Sequence, residues 1–433
     1  MTKARDIRVG VVAFLFFVAV GGPAIRNALG WWGWGVAVAA ALTVSLVWVI
    51  RERRQIHWNF VPFALVLWML LAALSISWSA YPLSSLLGVG ALFGGVLLAL
   101  PLGTLTTRAQ LRDGFALMAR WVLGLSLVFE LIVSWFVRHP VAPVWLGIGW
   151  EESLKQQQWS RNVLFVDGKI QGLLGNSTAT ATLAAVALIV FAIQFVDDRN
   201  RRAWHVGWIV VAAGIILLTR SAGVLIALVA VAAVLVLMLA VRRYTSRRAR
   251  ITIASIAAAA VLGAVIAVTF FDAQLLALLG KDSTLTNRTG IWETVIGVAD
   301  DRPWFGWGWV SYWTPWVEPF EGLVTINGVT QTHAHNAWLD IWLQLGIVGL
   351  VVFALLVLRT LIRAWTAATD RPRLGLTQEG AYDATSVLPL LVVVLLLVQS
   401  ASESHLLVEG WWVMFTALAI RLKSDAIKDP GRL

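Results

Sequence analysis

The chain has 433 residues, of which 59% are hydrophobic and only 13% charged, and its mean hydropathy is +0.78. A soluble domain carries about twice that charged share, so the soluble fold classes are excluded. The net charge of +10 would suit a nucleic-acid partner, but the basic residues cluster between alternate apolar runs, and that excludes the polyanion reading.

The chain opens with MTKARDIR followed by VGVVAFLFFVAV, which has the outline of a secretory leader. The GGPAIRNA that follows lacks a small-x-small cleavage site, so an uncleaved first helix over 9–22 is expected. Further apolar runs occupy 31–50, 60–77, 83–101, 114–137, 178–196, 203–219, 221–241 and 251–271. The last three are 336–362, 387–401 and 406–422. Most are long enough for a hydrocarbon core of roughly 30 Å. Backbone in lipid must satisfy its own hydrogen bonds, so each run is expected to be a helix. The expectation is an all-α polytopic membrane protein of about 12 transmembrane helices, a single transmembrane helical domain over 1–433.

Lys and Arg gather at residues 3–8, 51–54, 108–120, 199–202, 242–250, 359–373 and 421–432, giving 25 basic residues on one side against 9 on the other. This is the positive-inside pattern, and it places both termini in the cytoplasm. It then leaves two long segments outside: 138–177 as a first outer loop, and 272–335 as a large extracytoplasmic loop between the ninth and tenth spans. The segment 363–386, with Asp370, Arg371, Pro372, Gln378, Glu379 and Asp383, reads as a solvated cytoplasmic linker. Cysteine is absent, which excludes a thiolate nucleophile or a zinc–thiolate centre. No loop carries GxxxxGK[ST], nor GxGxxG between a strand and a helix, so nothing here supports a nucleotide-driven engine.

The large outer loop holds LLGKDSTLTNRTGIWE (278–293), DRPWFGWGWVSYW (301–313) and THAHNAWLDIWLQLGIVGL (332–350), the last entering the tenth span. LLTRSAGVLIAL (217–228) is a tight turn between two spans, and KIQGLLGNST (169–178) is where the first outer loop re-enters the membrane. Together these pieces resemble the O-antigen ligase and exopolysaccharide polymerase superfamily of bacterial membrane glycosyltransferases. The resemblance implies a protein of the bacterial cytoplasmic (inner) membrane that transfers a glycan from undecaprenyl pyrophosphate to an acceptor hydroxyl on a glycan, lipid or cell-wall polymer. It implies neither a nucleotide nor a metal cofactor. The family's important positions map onto Arg220, Arg288 and His335. One departure stands out: the family's first arginine motif is Ser-Arg-Gly-like, whereas here the order is Thr219-Arg220-Ser221-Ala222-Gly223.

The residues themselves allow two readings at each position. Arg220 ends a short span, where a guanidinium needs an anion or water, and its planar fork matches phosphate oxygens; it could equally snorkel to a headgroup. Arg288 would be a second clamp on a pyrophosphate, neutralising charge that grows on the leaving group, or a loop arginine paired with Asp282 or Glu293. Arg302 stands behind it as an alternative cation. His335 could take the proton of an attacking hydroxyl, or merely cap the following helix. His333, two residues earlier, points away if the segment is helical and alongside if it is extended; metal binding is the weaker reading.

Asn336 and Asn176 are candidate substrate contacts. Asp340, on the helix face of Asn336, and Glu403, in the SASESH turn, could each orient the histidine or an arginine. Glu130 is solitary in its span, so a structural hydrogen bond is favoured over a proton relay. Trp304, Trp307, Trp309, Trp313 and Trp316 crowd one loop, and the interfacial reading is favoured for most of the tryptophans. Gly172, Gly175, Gly306 and Gly308 are expected at turns or close packings. A flippase or transporter of lipid-linked oligosaccharides is the rival class; it would need charged or broken helices at mid-membrane. A purely structural scaffold would leave the arginine–histidine set unexplained.

Overall fold

A computed structural model describes residues 2–166, 168–244, 246–270, 286–371, 373–374 and 378–428. Among them are thirteen α-helices: α1 Thr2–Val20, α2 Gly22–Arg51, α3 Phe63–Leu74, α4 Pro82–Thr104, α5 Arg108–Ile132, α6 Ser177–Asp197 and α7 Arg202–Thr219. The series continues with α8 Ala222–Val241, α9 Arg247–Phe270, α10 Thr286–Asp300, α11 Ala337–Thr369, α12 Leu388–Gln399 and α13 Glu409–Lys428. Strand among the described residues is confined to two hairpins of two-residue strands, β1 Thr325–Ile326 with β2 Val329–Thr330, and β3 Arg373–Leu374 with β4 Gln378–Glu379. Each of the twelve predicted apolar runs falls on one of these helices. Eight of the helical segments are long and apolar enough to cross a bilayer, making this an all-α multi-pass membrane protein. The apolar segments around α3 and α12 are shorter, and α1 and α13 carry four or more charged residues at their ends.

Three features were not expected. The first part of the predicted linker 363–386 is helical, because RAWTAAT continues α11 to Thr369 with no breaker. Within 272–335, residues 272–285 lie outside the described set, and 286–300 form α10, whose Ile291, Val295 and Ala299 recur every four residues on one buried stripe. Among the crowded tryptophans, the burial of Trp309 and Trp313 was not foreseen, while Trp304 and Trp316 are exposed.

The chain forms two compact units. The first comprises residues 1–53, 105–228 and 383–388. Here α1 packs against α5, and α6 against α7. Close approach follows from small residues: Ala181, Ala184, Ala185 and Ala187 of α6 are fully buried. Helix α5 starts with a reciprocal cap, in which Thr107 Oγ1 accepts from Gln110 N at 3.1 Å and Gln110 Oε1 from Thr107 N at 2.9 Å. Glu130 near its other end has the structural role. Its carboxylate accepts from Ser160 Oγ at 2.8 Å, Gln171 N at 3.1 Å and Gly172 N at 2.8 Å, which ties the 138–177 segment down.

The second unit comprises residues 54–104, 229–382 and 389–433. Helix α13 packs along α4, and α3 along α11. In the same unit Tyr81, Ile291, Val295, Val310, Trp313, Phe320, Ala334 and Leu343 close into one apolar core, with Trp313 and Phe320 stacked at 5.9 Å. Helix α11 is broken at Gly346, whose φ of 65° and ψ of −166° belong to a region open essentially to glycine alone. A break in lipid would strand backbone groups at several kcal/mol each. The Pro303–Ser311 turn supplies the missing partners. Ile347 N and Val348 N donate to Pro303 O at 2.8 Å and Trp304 O at 3.1 Å, and Leu343 O and Gln344 O accept from Trp307 N at 3.0 Å and Gly308 N at 2.9 Å. Gln344 Oε1 takes Val310 N at 2.8 Å and Ser311 N at 3.1 Å. The FGWG motif is therefore the piece of chain that fills the gap in α11. Gly306 and Gly346 allow the close approach: a Cβ on Gly306 would stand 2.5 Å from the Gln344 carbonyl carbon.

Candidate active site

The site is built at the start of α11. Asn336 is the N-cap, its side-chain oxygen accepting from Trp338 N at 3.0 Å and Leu339 N at 3.3 Å. His335, immediately before it, has a φ of 50°, a left-handed backbone that only a few per cent of non-glycine residues adopt. The turn after α12 is fastened beside it: Ser400 O accepts from Ala337 N at 2.9 Å, and Ser400 Oγ from Trp338 Nε1 at 3.0 Å. Asp340, buried in the first turn of α11, reaches back to accept from Ala334 N at 3.1 Å and also from Ser404 Oγ. Trp292 Nε1 of α10 donates to Ala334 O at 3.0 Å, which docks the helix that carries Arg288 four residues earlier on the same face.

These fastenings bring three side chains together. Glu403 is 6% exposed. Its Oε2 faces His335 Nδ1 at 3.2 Å, and its Oε1 accepts from Arg288 at 3.1 Å. Burial alone would raise its pKa, but the charge and hydrogen bond of His335, with the charges of Arg288 and His405, overcome that and hold it well below the usual carboxylate range. His335 Nε2 faces Gln331 Oε1 at 3.3 Å. The segment before α11 is not helical, so His333 and His335 lie side by side, ring centroids 4.1 Å apart, and His333 Nδ1 accepts the His335 backbone N–H at 3.1 Å. Burial pushes His333 well below the ordinary histidine value, and the charge of His335 acts the same way. The arrangement can hold an anion at Arg288, orient an imidazole through its Nδ1, and present Nε2 to a substrate. No group of three or more His, Asp or Glu among the described residues is placed to hold a metal ion.

Of the residues singled out from sequence, His335, Arg288, Glu403, His333, Asn336 and Asp340 come together here. Arg288 pairs with Glu403, 115 positions away; Asp282 lies outside the described residues. Arg302 is exposed and stacks over Trp307 at 4.0 Å. Asn176 and Arg220 belong to the first unit. Asn176 caps α6 by accepting from Ala179 N at 2.9 Å, and Arg220 ends α7 in a left-handed conformation, its N–H given to Leu217 O at 3.2 Å. Sequence reasoning missed Gln331 and His405, whose ring centroid is 6.1 Å from that of His333. A signal for the first existed: Asn327-Gly328 between two β-branched residues marks a two-residue hairpin turn just upstream.

Residues 207–354 match the family model described as O-antigen ligase. That stretch contains Arg220, Arg288, Arg302, His333, His335, Asn336 and Asp340, and it stops before Glu403. Among curated proteins, the exopolysaccharide production protein ExoQ of Rhizobium meliloti (strain 1021) is 32% identical over 84 residues, a match spanning 19% of this chain and 19% of that one.

Proposed function

We propose that this multi-pass membrane protein acts in polysaccharide biosynthesis, as the O-antigen ligase and exopolysaccharide production matches suggest, transferring a glycan from undecaprenyl pyrophosphate to an acceptor hydroxyl on the extracytoplasmic side. The observation that carries this reading is the Arg288–Glu403–His335 array. In the proposed step the acceptor oxygen bonds to the anomeric carbon while its proton passes to His335 Nε2. The bond from that carbon to the phosphate oxygen breaks, its electron pair staying on the lipid pyrophosphate. Arg288 offsets the charge that grows there, a contribution made mainly in the transition state. Arg220 is proposed as a further phosphate-binding cation on the strength of its sequence motif. Glu403 fixes the ring by accepting from Nδ1, and a single displacement of this kind inverts the anomeric centre.

A second feature supports a lipid-borne donor. An apolar cavity of about 600 Å³ is lined by Val261, Trp338, Val357, Leu361, Trp365 and Leu397, among others. Trp338 lies three residues from His335, so a polyprenyl chain in this groove would bring its headgroup to the site. The flippase reading asks for broken or charged helices in mid-membrane. Helix α11 is broken, but the 303–308 turn takes up the freed backbone groups, and buried Glu130 is spent on Ser160, Gln171 and Gly172.

The test is reconstitution of the purified protein with a glycan on undecaprenyl pyrophosphate and candidate acceptors, with the products sized. A ladder of products indicates a polymerase and one discrete product a ligase. Movement of the donor across the bilayer with no covalent transfer would overturn the proposal.

A further inference from the structure

The nitrogen of His335 that Glu403 leaves for chemistry is already occupied. Gln331 Oε1 stands 3.3 Å from Nε2. The far end of that carboxamide settles its orientation, because Gln331 Nε2 donates to Val329 O at 2.9 Å and a carbonyl only accepts. The amide oxygen is therefore the atom turned to the ring. That oxygen fills the hydrogen-bonding position at His335 Nε2. Nδ1 faces the Glu403 carboxylate at 3.2 Å, another acceptor. Both ring nitrogens thus face acceptor oxygens, and in this arrangement Nε2 is not open to an incoming hydroxyl.

Gln331 is held in place by the chain that brings it. The β1–β2 hairpin pairs Thr325 with Thr330 and Ile326 with Val329. It closes through Asn327 and Gly328 at φ of 50° and 78°, the left-handed pair that a two-residue turn demands. Gln331 N then donates to Val324 O at 2.9 Å, and the next residue, Thr332, accepts from Trp313 N at 2.8 Å through its carbonyl. A hydroxyl that gives its proton to Nε2 must sit within hydrogen-bond reach of it, which is the place the amide oxygen now takes.

We propose that the Gln331 carboxamide holds the acceptor-hydroxyl subsite on His335 Nε2, so that the acceptor must displace it, and that the Thr325–Thr330 hairpin is the acceptor side of the site. This rests on the reading of His335 as the base in glycosyl transfer. When the carboxamide leaves, Nε2 faces the incoming hydroxyl. Transfer then proceeds as above: the hydroxyl proton goes to Nε2, the new carbon–oxygen bond forms, and the electron pair of the broken bond stays on the lipid pyrophosphate.

The test compares full-length Gln331→Ala and Gln331→Asn with the parent, and it has one readout independent of activity. Diethyl pyrocarbonate acylates an unprotonated ring nitrogen, and peptide mass spectrometry gives its rate at each histidine. With exposed His57 as the internal reference, both variants are expected to label at least threefold faster at His335. Asn keeps the amide but falls one methylene short of the ring, so it carries the test if the Ala variant does not accumulate. In reconstituted transfer, the acceptor KM is expected to fall several-fold with kcat within about twofold, and donor hydrolysis by water to rise. Unchanged labelling at His335, or a collapse of kcat at constant acceptor KM, overturns the proposal. If the parent transfers no glycan, the proposed function fails, while the labelling still decides whether Gln331 covers Nε2.

Discussion

Glu403 and His335 meet through Oε2 and Nδ1 at 3.2 Å, and that contact determines which ring nitrogen is left to face substrate. The carboxylate is buried and also holds Arg288 at 3.1 Å, so one group aligns the imidazole and neutralises the cation beside it. Glu403→Gln keeps the size and loses the charge. Transfer is expected to fall about 10²-fold or more, within the range that a positioned proton-transfer partner contributes. Because Arg288 stays, donor affinity should drop less than in an Arg288→Ala variant. Titration of donor binding beside initial-rate measurements separates the two, and parental kcat in the Gln variant would remove Glu403 from the site.

His335 and Arg288 are assigned different tasks, so their loss must look different. His335→Ala should abolish transfer, at least 10²-fold, while donor binding persists. Arg288→Ala should weaken both, since its charge bears on the bound pyrophosphate and on the transition state. The same assay on Arg302→Ala should show a change of threefold or less, because that side chain is exposed and stacked on Trp307. Normal turnover in His335→Ala would end its role as the base.

His333 offers a test of the site by pH. Its pKa in the folded protein is pushed well below the ordinary value, so below about pH 6.5 the unfolded chain takes up a proton that the native state resists. The direction is a loss of stability as pH falls through that window, by at most about 1.4 kcal/mol per pH unit for one proton. Thermal unfolding in detergent between pH 8 and 5 should show it. His333→Gln removes the proton uptake and should flatten the slope; superimposable slopes would place the pH dependence elsewhere.

What could be read from the sequence divides along a physical line. Apolar runs are local properties, and each of them lies on a helix. Arg288 and His335 drew attention because they stand in distinctive motifs, and Glu403 because it is an acid in the SASESH turn that could orient either of them. The break at Gly346 was not legible: LQLGIVGL stays apolar throughout, and hydropathy does not register a change of φ. Its cause lies some forty residues away, in the turn that replaces the lost hydrogen bonds. Gln331 was missed for a similar reason. Its neighbour His335 is close in sequence, but the groups that give the contact meaning, Glu403 and Arg288, are brought there only by the packing of α10, α11 and the turn after α12.

Glu130 separates a structural carboxylate from a relay. Glu130→Ala leaves Ser160 Oγ, Gln171 N and Gly172 N without their acceptor, and a buried unsatisfied donor costs about 1–3 kcal/mol. The variant should melt earlier and become protease-sensitive within 138–177, with Glu130→Gln recovering part of the loss through its remaining oxygen. Transfer per folded molecule should stay within about threefold of the parent. The opposite pattern, normal stability with lost turnover, would revive the relay.

Gly346 and Gly214 are both helix glycines, and the structure gives them opposite fates on substitution. Around Gly214 in α7 nothing stands within 4 Å of an added Cβ, so alanine should gain up to about 1 kcal/mol from helix propensity. At Gly346 an added Cβ would fall on the carbonyl of Trp304, which is backbone and cannot swing aside. The φ and ψ there add about 1–3 kcal/mol of strain for any other residue. Gly346→Ala should therefore lower the melting temperature and the folded yield. It should also reduce transfer in the molecules that do fold, because residues 336–345 include the Asn336 cap next to His335. Gly306→Ala meets the same joint from the other side, 2.5 Å from the Gln344 carbonyl carbon. The two losses should then combine less than additively, as neighbours sharing one contact do. If Gly346→Ala is as stable and active as Gly214→Ala, the break in α11 is not what holds the Pro303–Ser311 turn, and the positioning of His335 must come from the Ser400–Ser404 side alone.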